Sequence, residues 1–334
     1  MGIDFTVFKG SKTGDIVESK GHRDPAPSEV IVKISHCGVC GTDEHYRHAE
    51  MGLGHEGVGI ITEVGSAVHS ISDFRVGDRV GLGWFHKFCG HCKACLTGRQ
   101  HHCANSTSFG TADHDQGCFG TGVAWDVSTI AKIPDDIPSE FAGPLMCGGA
   151  TVWGPLHDYG LRAGDRVGII GVGGLGHMAI QFAAKIGMEA VVFSRTDSKK
   201  QQALDFGATE FVATGGKEKL DGVAPLDALL ITTSANPDLS LFLPIMAKGA
   251  KVFPLTISPE SLQLSPLALI MSGIVVIGSG LAPVASINNM LAFAAKNDIR
   301  PHIEKFPMTQ AGVVEAMQKL RDGKMRYRGV LVAP

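Results

Sequence analysis

Arg166-Val167-Gly168-Ile169-Ile170-Gly171-Val172-Gly173-Gly174-Leu175-Gly176 is the stretch that decides the fold. Its first five residues read as a buried strand. A G-x-G-x-x-G follows at once, and an apolar helical pattern then runs from Leu175 to Ile186. A glycine turn held between a strand and a helix lets the backbone approach a pyrophosphate, and the helix N-terminus favours the anion. The turn residues Gly171, Gly173, Gly174, Leu175 and Gly176 are therefore candidate cofactor contacts. Ala190–Phe193 reads as the second strand, and further strands are expected at Glu210–Ala213, Leu226–Thr232, Lys251–Pro254 and Ile274–Gly278. Six strands with helical segments between them make an α/β, doubly wound parallel sheet of the dinucleotide-binding kind.

The end of the second strand bears on the choice of dinucleotide. An NAD enzyme usually places Asp or Glu about 20 residues past the glycines, to accept from the ribose 2′-hydroxyl. Here the chain reads Phe193-Ser194-Arg195-Thr196, with Lys199 and Lys200 behind. A guanidinium at Arg195 suits a 2′-phosphate and leaves NAD without its acceptor, so NADP(H) is expected. Asp197 is a displaced acid that could serve NAD instead.

Upstream the texture is different. Residues 1 to about 35 look β-rich, with Glu29–Ile34 a β-branched run after Pro25 and Pro27; Gly57–Val64 and the stretch opening at Val76 read as further strands. Short β elements and frequent glycines predict a barrel-like β domain. Between the strands lies a loop, Cys37-Gly-Val-Cys40-Gly-Thr42-Asp43-Glu-His45, and then Gly54-His55-Glu56. One Cys–His pair alone reads as a core cysteine and a surface histidine. Hydroxyl and carboxylate groups beside it, however, complete the set a catalytic metal needs. Cys147, among small apolar residues, is ordinarily core; it is also the candidate third ligand. Trp84, Phe85 and Trp153 are candidates for an apolar pocket. Ser139 is expected to cap a helix from about Glu140, with Pro144 near its start, and helices are expected at Ile287–Lys296 and Ala311–Asp322 before a last strand, Arg328–Val332.

Cys89, Cys92, Cys95 and Cys103 are spaced C-x2-C-x2-C-x7-C. Disulfides would strain such short loops, whereas four thiolates fill a tetrahedral shell, so a structural zinc is expected here.

The chain has 334 residues, room for two domains. A net charge of −3 without a basic run argues against a nucleic-acid partner. No secretory signal is read at the N-terminus, apolar runs break before spanning length, and clustered cysteines fit a reducing compartment, so a cytoplasmic protein with no membrane partner is expected.

In this order, the four-cysteine loop, the Cys/His/Cys set and the dinucleotide fold resemble the zinc-dependent medium-chain alcohol dehydrogenases. The cinnamyl-alcohol-dehydrogenase branch is the most similar, judged from Gly38–His45, Gly54-His55-Glu56, Leu145–Thr151, Gly171–His177 and Arg326-Tyr-Arg328. The resemblance implies a GroES-like β-rich catalytic domain, with both zinc sites, in residues 1–148. It implies a Rossmann NADP-binding domain in 149–282, a return of 283–334 to the catalytic domain, and an active site in the cleft. It implies that Cys40, His55 and Cys147 hold the catalytic zinc, that Glu56 approaches it from behind and that Asp43 orients a ligand. It implies that Thr42 touches the substrate oxygen, that His45 relays its proton through the cofactor ribose, and that the protein is a homodimer. The activity implied is the interconversion of aldehydes and primary alcohols with NADP(H), acting as an NADPH-dependent reductase of aromatic or medium-chain aldehydes. A polyol dehydrogenase, an iminium or C=C reductase, and a non-catalytic NADPH- and zinc-binding module are the alternatives. One departure stands out: the connection from Cys40 to His55 is several residues shorter than is usual in the family, and it lacks the Pro common before Gly-His-Glu, which puts substrate size in question.

Overall fold

The computed structural model describes residues 2–255, 257–258 and 260–334. The chain divides into two compact units, Met1–Gly148 with Pro283–Pro334, and Gly149–Ala282.

The second unit is one six-stranded parallel sheet. Counted in chain order, its strands are Arg166–Ile170, Glu189–Ser194, Glu210–Ala213, Leu226–Ile231, Met246–Pro254 and Val275–Val276. They lie side by side as third, second, first, fourth, fifth, sixth. The order reverses between the first and fourth strands, and beyond their carboxyl ends lies the crevice where such sheets bind ligands. Three inner strands, Arg166–Ile170, Glu189–Ser194 and Leu226–Ile231, are apolar on both faces because both are covered: Val167, Ile169, Val191, Phe193, Leu229 and Ile231 are fully buried. The helix Gly176–Ile186 starts directly from the glycine turn and stops at Gly187, whose φ of 93° takes a left-handed C-cap. The fifth strand starts earlier than expected, and the sixth is only two residues long.

The first unit is built on the strand Glu29–Val39. It pairs antiparallel with Gly57–Val64 along one edge, with Arg328–Val332 at its C-terminal end, and with Gly122–Asp126 at its N-terminal end. The last strand is flanked in turn by a parallel strand, Ile303–Pro307, which the sequence pattern did not reveal. A separate hairpin pairs Ile3–Lys9 with Val17–Arg23. The helix Gln310–Arg321 packs on the strands Ile303–Pro307 and Arg328–Val332. The core beneath contains Val30, Val32, Ile34, Trp125, Phe119 and both Cys37 and Cys118. Those two thiols are packing residues.

Two local expectations are corrected. The Cys37–His45 segment is not a loop: Cys37 to Val39 extend the strand and Gly41–His45 is a helix. The reason is a reciprocal cap. The Cys40 sulfur accepts from Thr42 N, and the Asp43 carboxylate accepts from Cys40 N at 2.9 Å. Likewise Ser139 is not a cap. Pro138 precedes the helix Ser139–Pro144, Pro144 ends it, and the Ser139 hydroxyl instead accepts from the Arg79 guanidinium at 3.2 Å.

Candidate metal centres and dinucleotide turn

The strand ending at Val39 delivers Cys40 to the start of the short helix, and the strand beginning at Gly57 positions His55 and Glu56 just before it. Cys147 comes from a wide helical turn, Leu145–Gly149. The three segments converge. One donor atom each from Cys40, His55, Glu56 and Cys147 lies within 4.8 Å of all the others. His55 is fully buried; its Nδ1 lies 3.1 Å from Asp43 Oδ1, while its Nε2 is buried without a partner. An orphaned imidazole nitrogen aimed into two thiols is costly unless a metal takes it. The residues present therefore fit a zinc ion.

Asp43 is the organiser. Its carboxylate accepts from Cys40 N, Gly54 N and His55 Nδ1, which ties the two sequence-distant ligands together and fixes the imidazole tautomer. Burial opposes charge on His55, but Asp43 and the Cys40 sulfur outweigh it and raise its pKa well above the ordinary value. The Cys147 thiol, with His55 behind it, pulls Cys40 well below the usual thiol range, and Cys40 in turn pushes Cys147 up. Burial pushes the Glu56 carboxyl up to about 7, against the pull of Arg328.

Three residues that sequence reasoning left without a role belong to this centre. Arg328 forms a buried ion pair with Glu56. Phe109 and Tyr46 join Trp84 in an aromatic wall: the His55 ring is 4.7 Å from Phe109 and 5.4 Å from Trp84, and Tyr46 packs on both. Of the expected pocket aromatics, Trp84 meets His55, Phe85 packs on Phe88, and Trp153 lies in the other unit against His157. Thr42 is nearly buried, with its hydroxyl 3.6 Å from the Cys40 sulfur, and His45 is exposed.

The four-thiol lobe is separate. All four sulfurs lie within 4.8 Å of one another, with Cys89–Cys103, Cys92–Cys103 and Cys89–Cys95 at 3.5, 3.8 and 4.0 Å, and all are free thiols. A tetrahedron with vertices about 2.3 Å from its centre has edges of about 3.8 Å, so the lobe fits zinc and leaves no place open. Left-handed Gly90 and Gly98 turn the chain sharply enough to bring the thiols together. Backbone N–H groups of His91 and Cys92 draw Cys89 down to about 6, a thiolate ready for metal.

In the other unit, Gly171 has a φ of 97°, and a methyl group at Gly176 would overlap the Gly171 carbonyl. A methyl at Gly173 would meet nothing within 4 Å, so that side of the turn is open to a ligand. The Thr232 hydroxyl donates to Ile170 O at 2.8 Å and supports the turn from the fourth strand. Lys199 reaches back to Val172 O at 2.7 Å, while Arg195, Thr196 and Lys200 are exposed and Ser194 is half-buried at the strand end. His177 sits under the turn, 2.9 Å from Gly173 O.

Two family models match the chain: an alcohol dehydrogenase GroES-like domain over residues 26–135 and a zinc-binding dehydrogenase over 174–296. NADP-dependent alcohol dehydrogenase C 1 of Mycolicibacterium smegmatis is 32% identical, over 92% of this chain and 91% of its own. The chain belongs to the zinc-type medium-chain alcohol dehydrogenases. An aldehyde reductase of Synechocystis is 33% identical over 91% of both chains. Among solved structures, a cinnamyl alcohol dehydrogenase from Sorghum bicolor superposes with a TM-score of 0.89 at 29% identity, covering 98% of this chain and 97% of its own. CAD from Helicobacter pylori, complexed with NADP(H), gives 0.88 at 27% identity, with 99% of each chain covered. The protein is thus an oxidoreductase of alcohols and aldehydes, and its cofactor classes are zinc and a nicotinamide dinucleotide. Among the described residues no helix is long and apolar enough to cross a membrane.

Metal analysis checks both centres. Two zinc ions per chain are expected, with one lost in Cys147→Ser and the other in Cys103→Ser, the latter with a lowered Tm because the closed site braces its lobe. Because Asp43 keeps a proton on metal-free His55 and that proton must leave on metal binding, affinity at the first site should rise with pH. A chelator competition in Cys103→Ser protein that shows pH-independent affinity would contradict this.

Proposed function

We propose that the protein is an NADPH-dependent reductase of aromatic or medium-chain aldehydes, acting reversibly on the corresponding primary alcohols. The observation that carries this is the convergence of Cys40, His55 and Cys147, with the orphaned Nε2, beside an aromatic wall. When bound, zinc supplies a Lewis acid at that point and the nicotinamide a hydride. The protein's own residues do the rest. Cys40 and Cys147 serve as thiolates and His55 through Nε2, with Asp43 holding the ring. The half-buried rings of Trp84 and Tyr46, backed by the buried Phe109, exclude water and favour an apolar substrate body. Thr42 hands a proton to the oxygen of the reduced substrate, and the solvent-exposed imidazole of His45 replaces it.

The glycine turn takes the pyrophosphate. Ser194, Arg195, Thr196, Lys199 and Lys200 would receive the 2′-phosphate, with Lys199 reaching it from its bond to Val172 O, and no acid stands at Arg195 to select NAD. The names of the mycobacterial relative and the NADP(H) complex of the Helicobacter protein support this choice. The reading is of a cytoplasmic homodimer. The two-residue strand Val275–Val276 and the helix Pro266–Ser272 leave Val275, Leu267, Ile270 and Met271 exposed at one edge of the sheet, where a second copy would cover them.

An aldehyde panel is expected to give higher kcat/KM with NADPH than with NADH, and Arg195→Ala should narrow that ratio by roughly ten- to a hundredfold, the worth of a charge-assisted hydrogen bond. A native preference for NADH would refute the assignment. His45→Ala should lower kcat by at most about a hundredfold, with zinc content unchanged; identical pH–rate profiles for variant and parent would take His45 out of the relay. Light scattering should report a dimer that Ile270→Glu with Val275→Lys splits into folded monomers, and a monomeric parent would dispose of the homodimer.

A further inference from the structure

Glu56 is fully buried, yet only one of its carboxylate oxygens is paired. Oε1 accepts from Arg328 Nη2, while Oε2 is buried without a partner. The carboxylate belongs to the cluster whose donor atoms all lie within 4.8 Å of one another, so it is within reach of the Cys40, His55 and Cys147 donors. Its position is built in. A methyl group at Gly38 would overlap Oε2, so the glycine leaves room for it. Arg328 is delivered by the last strand, whose register sets Gly329 opposite Val39 and so brings Arg328 beside Cys40. Its side chain is 6% exposed.

The charges compete for that carboxylate. Two thiolates and the Glu56 carboxylate outnumber the two positive charges of zinc by one; the guanidinium offsets that one, and the Asp43 carboxylate behind His55 is left to its three N–H donors. With Arg328 present, Glu56 has a cation at Oε1. With Arg328 gone, the metal is the remaining cation near a buried carboxylate, and four protein donors make the closed kind of zinc site. We propose that Arg328 is a positioning residue of the metal centre: by holding Glu56 through one oxygen, it keeps the other off the metal and the fourth coordination place free for substrate. This rests on the reading of Cys40, His55 and Cys147 as ligands.

Cobalt(II) in place of zinc tests it, with imidazole as a probe that enters a vacant coordination place and shifts the visible bands. The four-sulfur lobe has no vacant place and stays silent. Parent and Glu56→Gln protein should both respond to imidazole. Arg328→Met should not respond, should release zinc to a chelator about tenfold or more slowly, the scale on which outer partners tune metal affinity, and should lose kcat. In the double variant, Glu56→Gln with Arg328→Met, the response should return. Should Arg328→Met not fold, the shorter Arg328→Lys carries the same test and should show a weakened response. A parent-like imidazole response and zinc release in Arg328→Met, or a parent-like response in Arg328→Lys, overturns the proposal. So does a double variant as unresponsive as Arg328→Met, because Arg328 would then act through packing. If the parent takes up cobalt at the four-thiol lobe alone, the ligand reading itself fails; two cobalt ions with a parent-like Arg328→Met lose only the role of Arg328.

Discussion

A single buried carboxylate holds the first metal centre in shape. Asp43 accepts hydrogen bonds from a cap backbone, from Gly54 and from the imidazole of His55. Each such bond to a charged acceptor contributes about 1.5–3 kcal/mol, and the three together fix two chain segments relative to one another. The cysteine and the histidine are carried by different strands. Without that bridge, nothing local would oblige the imidazole to face the sulfurs. The aromatic wall, the space carved at Gly38 and the arrival of Cys147 are all arranged around the orientation Asp43 sets.

The two cysteine-bearing centres show how ligand chemistry separates bracing from reaction. The lobe of four sulfurs draws on one run of fifteen residues, so its geometry follows from local turns and short spacings. The other centre mixes sulfur, nitrogen and oxygen donors from well-separated segments. Such a site needs a completed fold before its donors meet, and it gains asymmetry in return: one flank is a wall of rings, another a buried ion pair, and a third carries the polar Thr42.

This contrast also explains how much could be read in advance. The parallel sheet was legible because its central strands are buried on both faces and closed by glycine or polar punctuation; Arg166–Ile170 and Glu210–Ala213 have the bounds their patterns indicate. The four-thiol lobe was legible from spacing alone. The Ile303–Pro307 strand was not, because Glu304, Lys305 and Pro307 leave it no clear alternation and only pairing with Arg328–Val332 makes it a strand. Nor was the helix at Gly41, since a cysteine sulfur as cap is outside the usual Ser, Thr, Asp and Asn. Phe109 and Tyr46 carry no signal that separates a ring beside a metal from a ring in a core. Arg328 stood in a recognisable motif, but its partner lies 272 residues earlier, and no local pattern reports a pairing of that length.

That separation has a temporal side. On the ribosome, Cys40, His55, Glu56 and Cys147 are all synthesised well before the final strand exists. Every donor is thus made while the carboxylate still has no guanidinium to meet it, and all of them wait for the strand that completes the fold. Only when the last strand lies against Glu29–Val39 does the buried acid acquire its counter-charge, so the two ends of the first unit must meet before its middle can do its work.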